Sequence, residues 1–177
     1  MPKNFIQYFT ELEEKIKEAV IEAELVAILQ LEADFKRRIF NEGISENGTP
    51  IGKYNKDFAV RYNESSFQTL NKTAKKRVKG FEGKRINYIE LRKKAGRQVD
   101  YVDLQFTDRL FNSINKQFYN GNWVLAFTDK NRLNVARANE ANFKKLIFTP
   151  SAEEIKAANY AYNEHLKIKI QELFDKW

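Results

Sequence analysis

Apolar residues recur along the first forty positions at spacings of three and four. Phe5, Phe9, Leu12, Ile16, Ala19, Ala23 and Val26 form one stripe, and Glu11, Glu13, Glu14, Lys15 and Lys17 occupy other faces. That periodicity predicts a helix from Asn4 to about Phe40, with Gly43 as its stop. Around VAILQL (Val26–Leu31) the pattern is apolar nearly all round, so cover on both sides is expected there. A helix of about 37 residues runs roughly 55 Å, longer than a small domain is wide. It therefore breaks, or part of it projects toward another subunit. The last clear pattern is also helical. Pro150 precedes Ser151-Ala152-Glu153-Glu154, a capping box, and Ile155, Ala158, Tyr162, Leu166, Ile170, Leu173 and Trp177 follow on one face.

The middle of the chain changes character. Asn41–Tyr54 (NEGISENGTPIGKY) is dense in turn residues and reads as a surface loop. Tyr54, Phe58, Tyr62, Phe67 and Leu70 are spaced for short helical turns. Between Ile86 and Lys94 a short helix within a basic loop is expected. From Tyr101 the period becomes two: Val102, Leu104 and Phe106 share one face of a predicted strand. Leu110, Phe111, Ile114 and Phe118 fit either a helical turn leading into a strand or a strand throughout. Asn120-Gly121 signals a tight hairpin. Trp123–Phe127 then predicts a well-buried strand, Asp129-Lys130-Asn131 a turn, and Leu133–Ala138 a returning strand. The expected fold is α+β in one domain. Residues 1–41 supply the helix, 42–100 the turn-rich and basic region, and 101–177 an antiparallel β-meander with a packed C-terminal helix.

Composition narrows the chemistry. The 177 residues are 42% hydrophobic and 14% aromatic, enough to bury a core. Cysteine is absent, which removes disulfides, thiolate zinc sites and cysteine nucleophiles, and fits a reducing cytosol. The one histidine, His165, sits on the terminal helix, where packing or surface exposure accounts for it better than metal ligation. Thr107, Asp108 and Ser113 lack a nearby histidine and read as turn and capping groups rather than a hydrolase site. Glu153 and Glu154 suit the first turn of a helix through its dipole. MPKNFIQYF lacks the apolar stretch of a secretory signal, and no apolar run approaches the roughly 18 residues of a membrane span. A soluble intracellular protein with no catalytic residues, no metal and no cofactor is expected.

Charge is unevenly placed. Residues 71–98 hold eleven basic side chains against Glu82 and Glu90, net +9, within a chain whose total is +7. The remainder therefore sums to −2. Lys75, Lys76, Arg77, Lys79, Lys84, Arg85, Arg92, Lys93 and Lys94 are the candidate contacts. They fit three readings: phosphate neutralisation with Tyr88 or Phe81 available to stack, a loop facing a polyanion channel or an acidic neighbour, or a solvated charged loop. No sequence-specific nucleic-acid motif accompanies them.

The order of the parts carries a resemblance. Gly52–Tyr54 gives a Gly-x-aromatic segment. Leu104, Thr107, Leu110, Ser113 and Ile114 follow in VDLQFTDRLFNSI, then Ala138–Glu140 in ARANE and Phe148–Ser151 before the last helix. This arrangement, over about Asn41 to Trp177, resembles the virion-morphogenesis, or tail-completion, family of tailed bacteriophages. Asp108 stands where that family usually has glycine, which requires a different turn or aspartate's tolerance of tight turns. The family's Pro-x-Arg before the last helix is missing, with Lys144, Lys145 and Thr149-Pro150 in its place. The resemblance implies an α+β subunit of the neck or upper tail, often a ring. Its partners would be other copies of itself and portal, connector or tail proteins, with non-specific contact to packaged DNA and no membrane. It would reside in the virion after assembly in the bacterial cytoplasm. The implied contacts are the loop Asn47, Gly48, Pro50, Gly52 and Tyr54, the basic segment, and an arm led by Phe5, Phe9 and Leu12. The reading from another class is a small DNA-binding protein that uses residues 72–97.

Overall fold

The computed structural model describes residues 5–63, 70–105 and 108–175. The fold is mixed α+β, with a long N-terminal helix, two small antiparallel sheets and a C-terminal helix packed against the first. No helix among the described residues is long and apolar enough to cross a membrane. The chain forms two compact units, each assembled from pieces distant in sequence. The first comprises residues 1–35, 115–126 and 150–177, and the second residues 36–114 and 127–149. The expected positions Asn4, Phe67, Phe106, Thr107 and Trp177 lie outside the described residues.

In the first unit, α1 (Phe5–Lys36) and α6 (Ala152–Asp175) are the long elements. Glu22 of α1 meets Lys169 at 2.9 Å and His165 at 3.7 Å. The Lys169 ammonium holds the Glu22 carboxyl below its usual range, and Glu22 in turn raises Lys169. Ala27, Ile28 and Leu31 share a cavity with Ala158, Asn159 and Tyr162, so numbers fall along one helix as they rise along the other. The pairing is therefore antiparallel. About six residues of α6, roughly 9 Å, remain beyond Lys169, so the first turns of α1 outrun it. The capping box forms as expected: Ser151 Oγ accepts from Glu154 N at 3.2 Å, and Glu154 Oε2 accepts from Ser151 N at 2.7 Å. The expectation of cover on both sides of Val26–Leu31 does not hold within the chain, because Leu29 remains 43% exposed.

The hairpin joins β3 (Ile114–Tyr119) to β4 (Asn122–Phe127). Asn120 and Gly121 both have positive φ, 49° and 83°, the backbone of the two-residue turn that matches strand twist. Before β3, α4 (Arg109–Ser113) is the helical turn, which resolves the two alternatives left open by spacing. Asp108 takes the left-handed conformation, φ 57°, a backbone state that aspartate tolerates and glycine adopts freely. β4 is not well buried: Val124 is exposed and Trp123 only half-buried, because a two-stranded ribbon leaves one face open.

In the second unit a π-helical segment, Arg37–Glu42, continues α1 and ends at Gly43. Gly43 has φ 67°, and a Cβ there would stand 2.3 Å from the Tyr101 ring, so the stop is fixed by both backbone and space. The basic region is more ordered than a loop with one helix. It holds α2 (Lys72–Val78), a 3-10 turn at Lys79–Phe81, β2 (Arg85–Asn87) and α3 (Tyr88–Ala95). Asn71 caps α2 by accepting from Ala74 N at 2.8 Å, and Asn87 caps α3 by accepting from Ile89 N at 2.9 Å. Tyr62, Leu70, Ala74, Val78, Ile86, Leu91 and Ala95 close the core beneath the charges. The helical turns expected around Phe58 and Tyr62 are instead β1 (Ala59–Arg61), paired antiparallel with β2 through Val60 and Ile86.

Two expected strands are absent. Residues 102–105 have no regular structure, because Leu104 has φ 52° and Asp103 turns into the core beside buried Val102. Asp103 Oδ1 then accepts from Gln105 N at 3.0 Å, which folds the chain into a side-chain turn instead of a ladder. The segment expected as a turn and returning strand is α5 (Lys130–Phe143). Asp129 is its N-cap and accepts from Arg132 N at 2.8 Å, while Leu133, Ala136, Glu140 and Phe143 share its inward face at helical spacing. Among the described residues of 101–177, the expected β-meander is the single hairpin β3–β4.

The capping box is open to a direct check. Ser151→Ala should destabilise the chain by about 1 kcal/mol in thermal or denaturant unfolding, with little change in helix content at low temperature.

Candidate interaction surfaces

The three segments singled out from sequence occupy different settings. The Asn47 loop is a rigid tip. Asn47 Oδ1 accepts from Ser45 Oγ at 3.0 Å, Thr49 Oγ1 at 2.7 Å and Thr49 N at 3.2 Å. Ile44 bridges Pro50, Ile51 N donates to Gly43 O at 2.7 Å, and Lys145 Nζ reaches Thr49 Oγ1 and Pro50 O. Asn47, Gly48 and Pro50 are exposed at this tip. Gly52 is not: a Cβ there would meet the Phe143 ring at 3.1 Å. Glu140 Oε1 accepts from Ile147 N and Phe148 N, both at 2.8 Å, so the ARANE glutamate fixes the backbone that approaches the last helix. Arg38, also buried, donates to Ile44 O at 3.0 Å and Thr149 O at 2.9 Å.

Tyr54 belongs to the interior. Its hydroxyl donates to Asp103 Oδ1 at 2.7 Å and its ring lies 4.5 Å from the Arg92 guanidinium carbon. Arg92 is 0% exposed and grips both Asp103 oxygens at 2.9 Å, while its Nε donates to Gln98 O at 2.9 Å. Tyr88 stands 5.9 Å from the same guanidinium. Arg92 therefore cannot reach a phosphate or an acidic neighbour, and its assignment as a channel contact is wrong. Tyr54 likewise is a packing group rather than a loop contact. Burial pushes the Tyr54 phenol well up from the ordinary tyrosine value and raises that of Tyr88, in both against the opposing pull of the Arg92 charge.

The other basic candidates do face solvent, apart from half-buried Lys75. On α2 the buried Ala74 and Val78 occupy one side, which leaves Lys72, Lys76 and Lys79 at spacings of four and three on the outer side. Arg77 lies over Gly96, the C-terminal cap of α3, where a cation meets the negative end of the helix dipole. Lys84 Nζ donates to Gly80 O at 3.0 Å. Lys93, Lys94 and Arg85 complete the exposed set.

The leading face of α1 is uncovered. Phe5 is 76% exposed, Ile6 74% and Phe9 49%, with the Phe5 and Phe9 rings 4.6 Å apart. Leu12 is half-buried. Ile6, three residues before Phe9, extends the exposed face beyond the residues singled out from sequence. Among the described residues, no group of three or more histidine, aspartate or glutamate side chains is placed to hold a metal ion. No protein-family model, curated protein or solved structure matches the chain at a significant level.

Two outcomes follow from the buried cluster. Asp103→Ala strands the Arg92 charge in the core and should cost about 3–5 kcal/mol in urea unfolding, whereas joint replacement of Arg92 and Asp103 by apolar residues of similar volume should cost much less. The raised phenols give a pH dependence of definite sign. In the unfolded chain a tyrosine loses its proton near pH 10, but folded Tyr54 and Tyr88 keep theirs to higher pH. Their contribution is complete below about pH 10 and declines as pH rises toward the folded values. Alkaline titration followed by ultraviolet absorbance should show Tyr54 and Tyr88 ionising together with unfolding, after the exposed tyrosines among the eight.

Proposed function

We propose that this chain is a structural subunit of a tailed-phage virion at the head–tail connection, a neck or tail-completion ring component that acts by protein–protein assembly rather than catalysis. Its neighbours are other copies of itself and portal, connector or tail proteins. Assembly takes place in the bacterial host, without a cofactor and away from membranes. The observation that carries this reading is the uncovered apolar face at the start of α1, where Phe5, Ile6 and Phe9 stand in solvent on a helix that outruns its partner. A large apolar patch of this kind marks an interaction surface. The rigid Asn47–Pro50 tip offers a second, and the order of motifs from Gly52 to Ser151 supplies the phage context.

The exposed lysines of α2 favour one other reading, a non-specific DNA-binding protein that uses the 72–97 segment. The two separate experimentally. Under the assembly reading the chain is found by mass spectrometry in purified particles of the phage whose portal and tail genes flank its own. Phe5→Ser/Phe9→Ser should leave the unfolding free energy within about 0.5 kcal/mol, since both rings are exposed, yet lower the yield of tailed particles at least tenfold. Unchanged particle yield would sink the arm. Under the DNA reading, neutralising Lys75, Lys76 and Arg77 abolishes a steeply salt-dependent duplex affinity, and the flanking genes are not those of a virion.

A further inference from the structure

The first turns of α1 carry an open seam. Phe5, Phe9, Leu12 and Ile16 alternate spacings of four and three, and the same alternation runs on through Ala19, Ala23 and Val26. That is the heptad rhythm of a helix packed along another helix, rather than the 3.6 period of one laid on a globular core. Where α6 runs alongside α1, the seam is closed, with Ala19 and Ala23 buried. Lys169 meets Glu22 in this antiparallel pair, so Asp175, where α6 ends, stands near the level of Ile16. Phe5 to Ile16 extend past it, about 18 Å of helix. Over that length Phe5, Ile6, Phe9 and Ile16 are exposed, and the groove beside them is lined by apolar side chains.

The segment that fits this gap is the same segment of another copy. Laid antiparallel, Phe5 meets Ile16 of the second copy and Phe9 meets its Leu12, and a two-fold axis repeats both layers. Beside the seam, Glu13 lies across from Ile6 of the second copy and Lys15 across from its Tyr8, so like charges are not opposed. The first turn of α1 has no acidic side chain of its own. This register lays residues 13–18 of the second copy, with three glutamates and two lysines, beside that positive helix end. Length agrees as well, because Phe5 of the second copy arrives at Ile16, where α6 stops. A parallel pair would instead drive both α1 helices into the seam that α6 fills. Two phenylalanines and three aliphatic side chains bury of the order of 500 Å² per copy. The total, about 1,000 Å², sits at the lower limit of a specific interface. We propose that the overhang of α1 pairs with the overhang of a second copy as a short antiparallel coiled coil. The contact is isologous and closes at two copies. It rests on the reading of this face as an interaction surface under the proposed function, and it names the occupant.

The first unit has eight basic and thirteen acidic residues, net −5, and the second has twenty-three basic and eleven acidic, net +12. Two first units therefore repel at long range, while the seam itself is apolar. In sedimentation velocity the full chain should dimerise by about 200 μM, and no more weakly at about 500 mM salt than at about 50 mM. Phe5→Ser/Phe9→Ser should weaken dimerisation at least tenfold with an unchanged circular dichroism spectrum. Orientation is read with spin labels, since the chain has no cysteine of its own. Thr10→Cys and Lys17→Cys place labels at the same heptad position. Thr10 lies beside the two-fold axis, whereas Lys17 and its counterpart stand about 20 Å apart along it, so the inter-label distance should be longer by about 10 Å at Lys17. Equal distances at the two positions would mean a parallel pair and overturn the proposal. So would a wild type that stays monomeric, a dimer that loosens as salt rises, or a double variant that dimerises at the wild-type strength. A monomeric wild type whose double variant still loses tailed particles would show that a virion protein takes this face. The pairing would then fall while the head–tail reading stands, and finding the chain in purified particles decides that reading separately.

Discussion

The second unit is organised around a charge with no access to water. Arg92 is fully buried, and the guanidinium can stay there only because Asp103 accepts two of its N–H groups, Gln98 O accepts a third and the Tyr54 ring faces it. A carboxylate and guanidinium lose several kcal/mol each on leaving water, so this geometry has to be nearly complete before the unit is stable. Each partner comes from a different stretch of chain: Tyr54 after the Asn47 tip, Arg92 from α3, and Asp103 from the segment before α4. The pair thus works as a fixed point between the loop and the basic helices. It also dictates the backbone at Val102–Gln105, where Asp103 must face inward and the strand pattern fails.

That cluster shows where sequence reading succeeds and where it does not. The long elements are legible because many weak signals agree over their length: the Phe5–Val26 stripe, the Ser151–Glu154 box and the Asn120-Gly121 turn all form as their spacing predicts. The alternation of Val102, Leu104 and Phe106 implies a strand with Asp103 on the opposite face, and an acid between two apolar residues usually points to water. Nothing local reveals that Arg92, eleven residues earlier, sits inside. Asp129 has the same ambiguity at shorter range. Aspartate begins turns and caps helices with the same side-chain geometry, and only the inward Leu133, Ala136 and Phe143 decide for the helix. In the basic region eight surface cations hid a core of Ala74, Val78, Leu91 and Ala95, whose periodicity is short and carried partly by small residues.

Of the candidate contacts, those that survive have physics in common. Lys76, Lys79, Lys93 and Lys94 end in ammonium groups that remain hydrated, whereas Arg92 offers a planar fork suited to one carboxylate. A list of basic residues cannot separate the two, because burial decides which role each takes. Burial also separates Trp123, half-buried on β4, from its exposed neighbour Val124. Glu24, between Ala23 and Leu25, is the polar exception just before the apolar run Val26–Leu31, and one of its oxygens is buried with no hydrogen-bond partner among the described residues. A buried carboxylate oxygen without a donor costs stability.

Under the assembly reading, the uneven charge bears on how copies of the chain would find their register. With −5 in one unit and +12 in the other, two copies that approach like to like repel, and only unlike surfaces attract. Long-range attraction of this sort sets orientation and speed of encounter more than final affinity. Affinity must then come from apolar contact, and α1 supplies it in Phe5, Ile6 and Phe9. The combination favours one polarity of joining. The second unit's +12 exceeds the first unit's −5, so pairing of unlike units would still leave positive charge exposed. Lys93 and Lys94, on α3, are exposed as well, so the positive surface of this unit is not confined to α2.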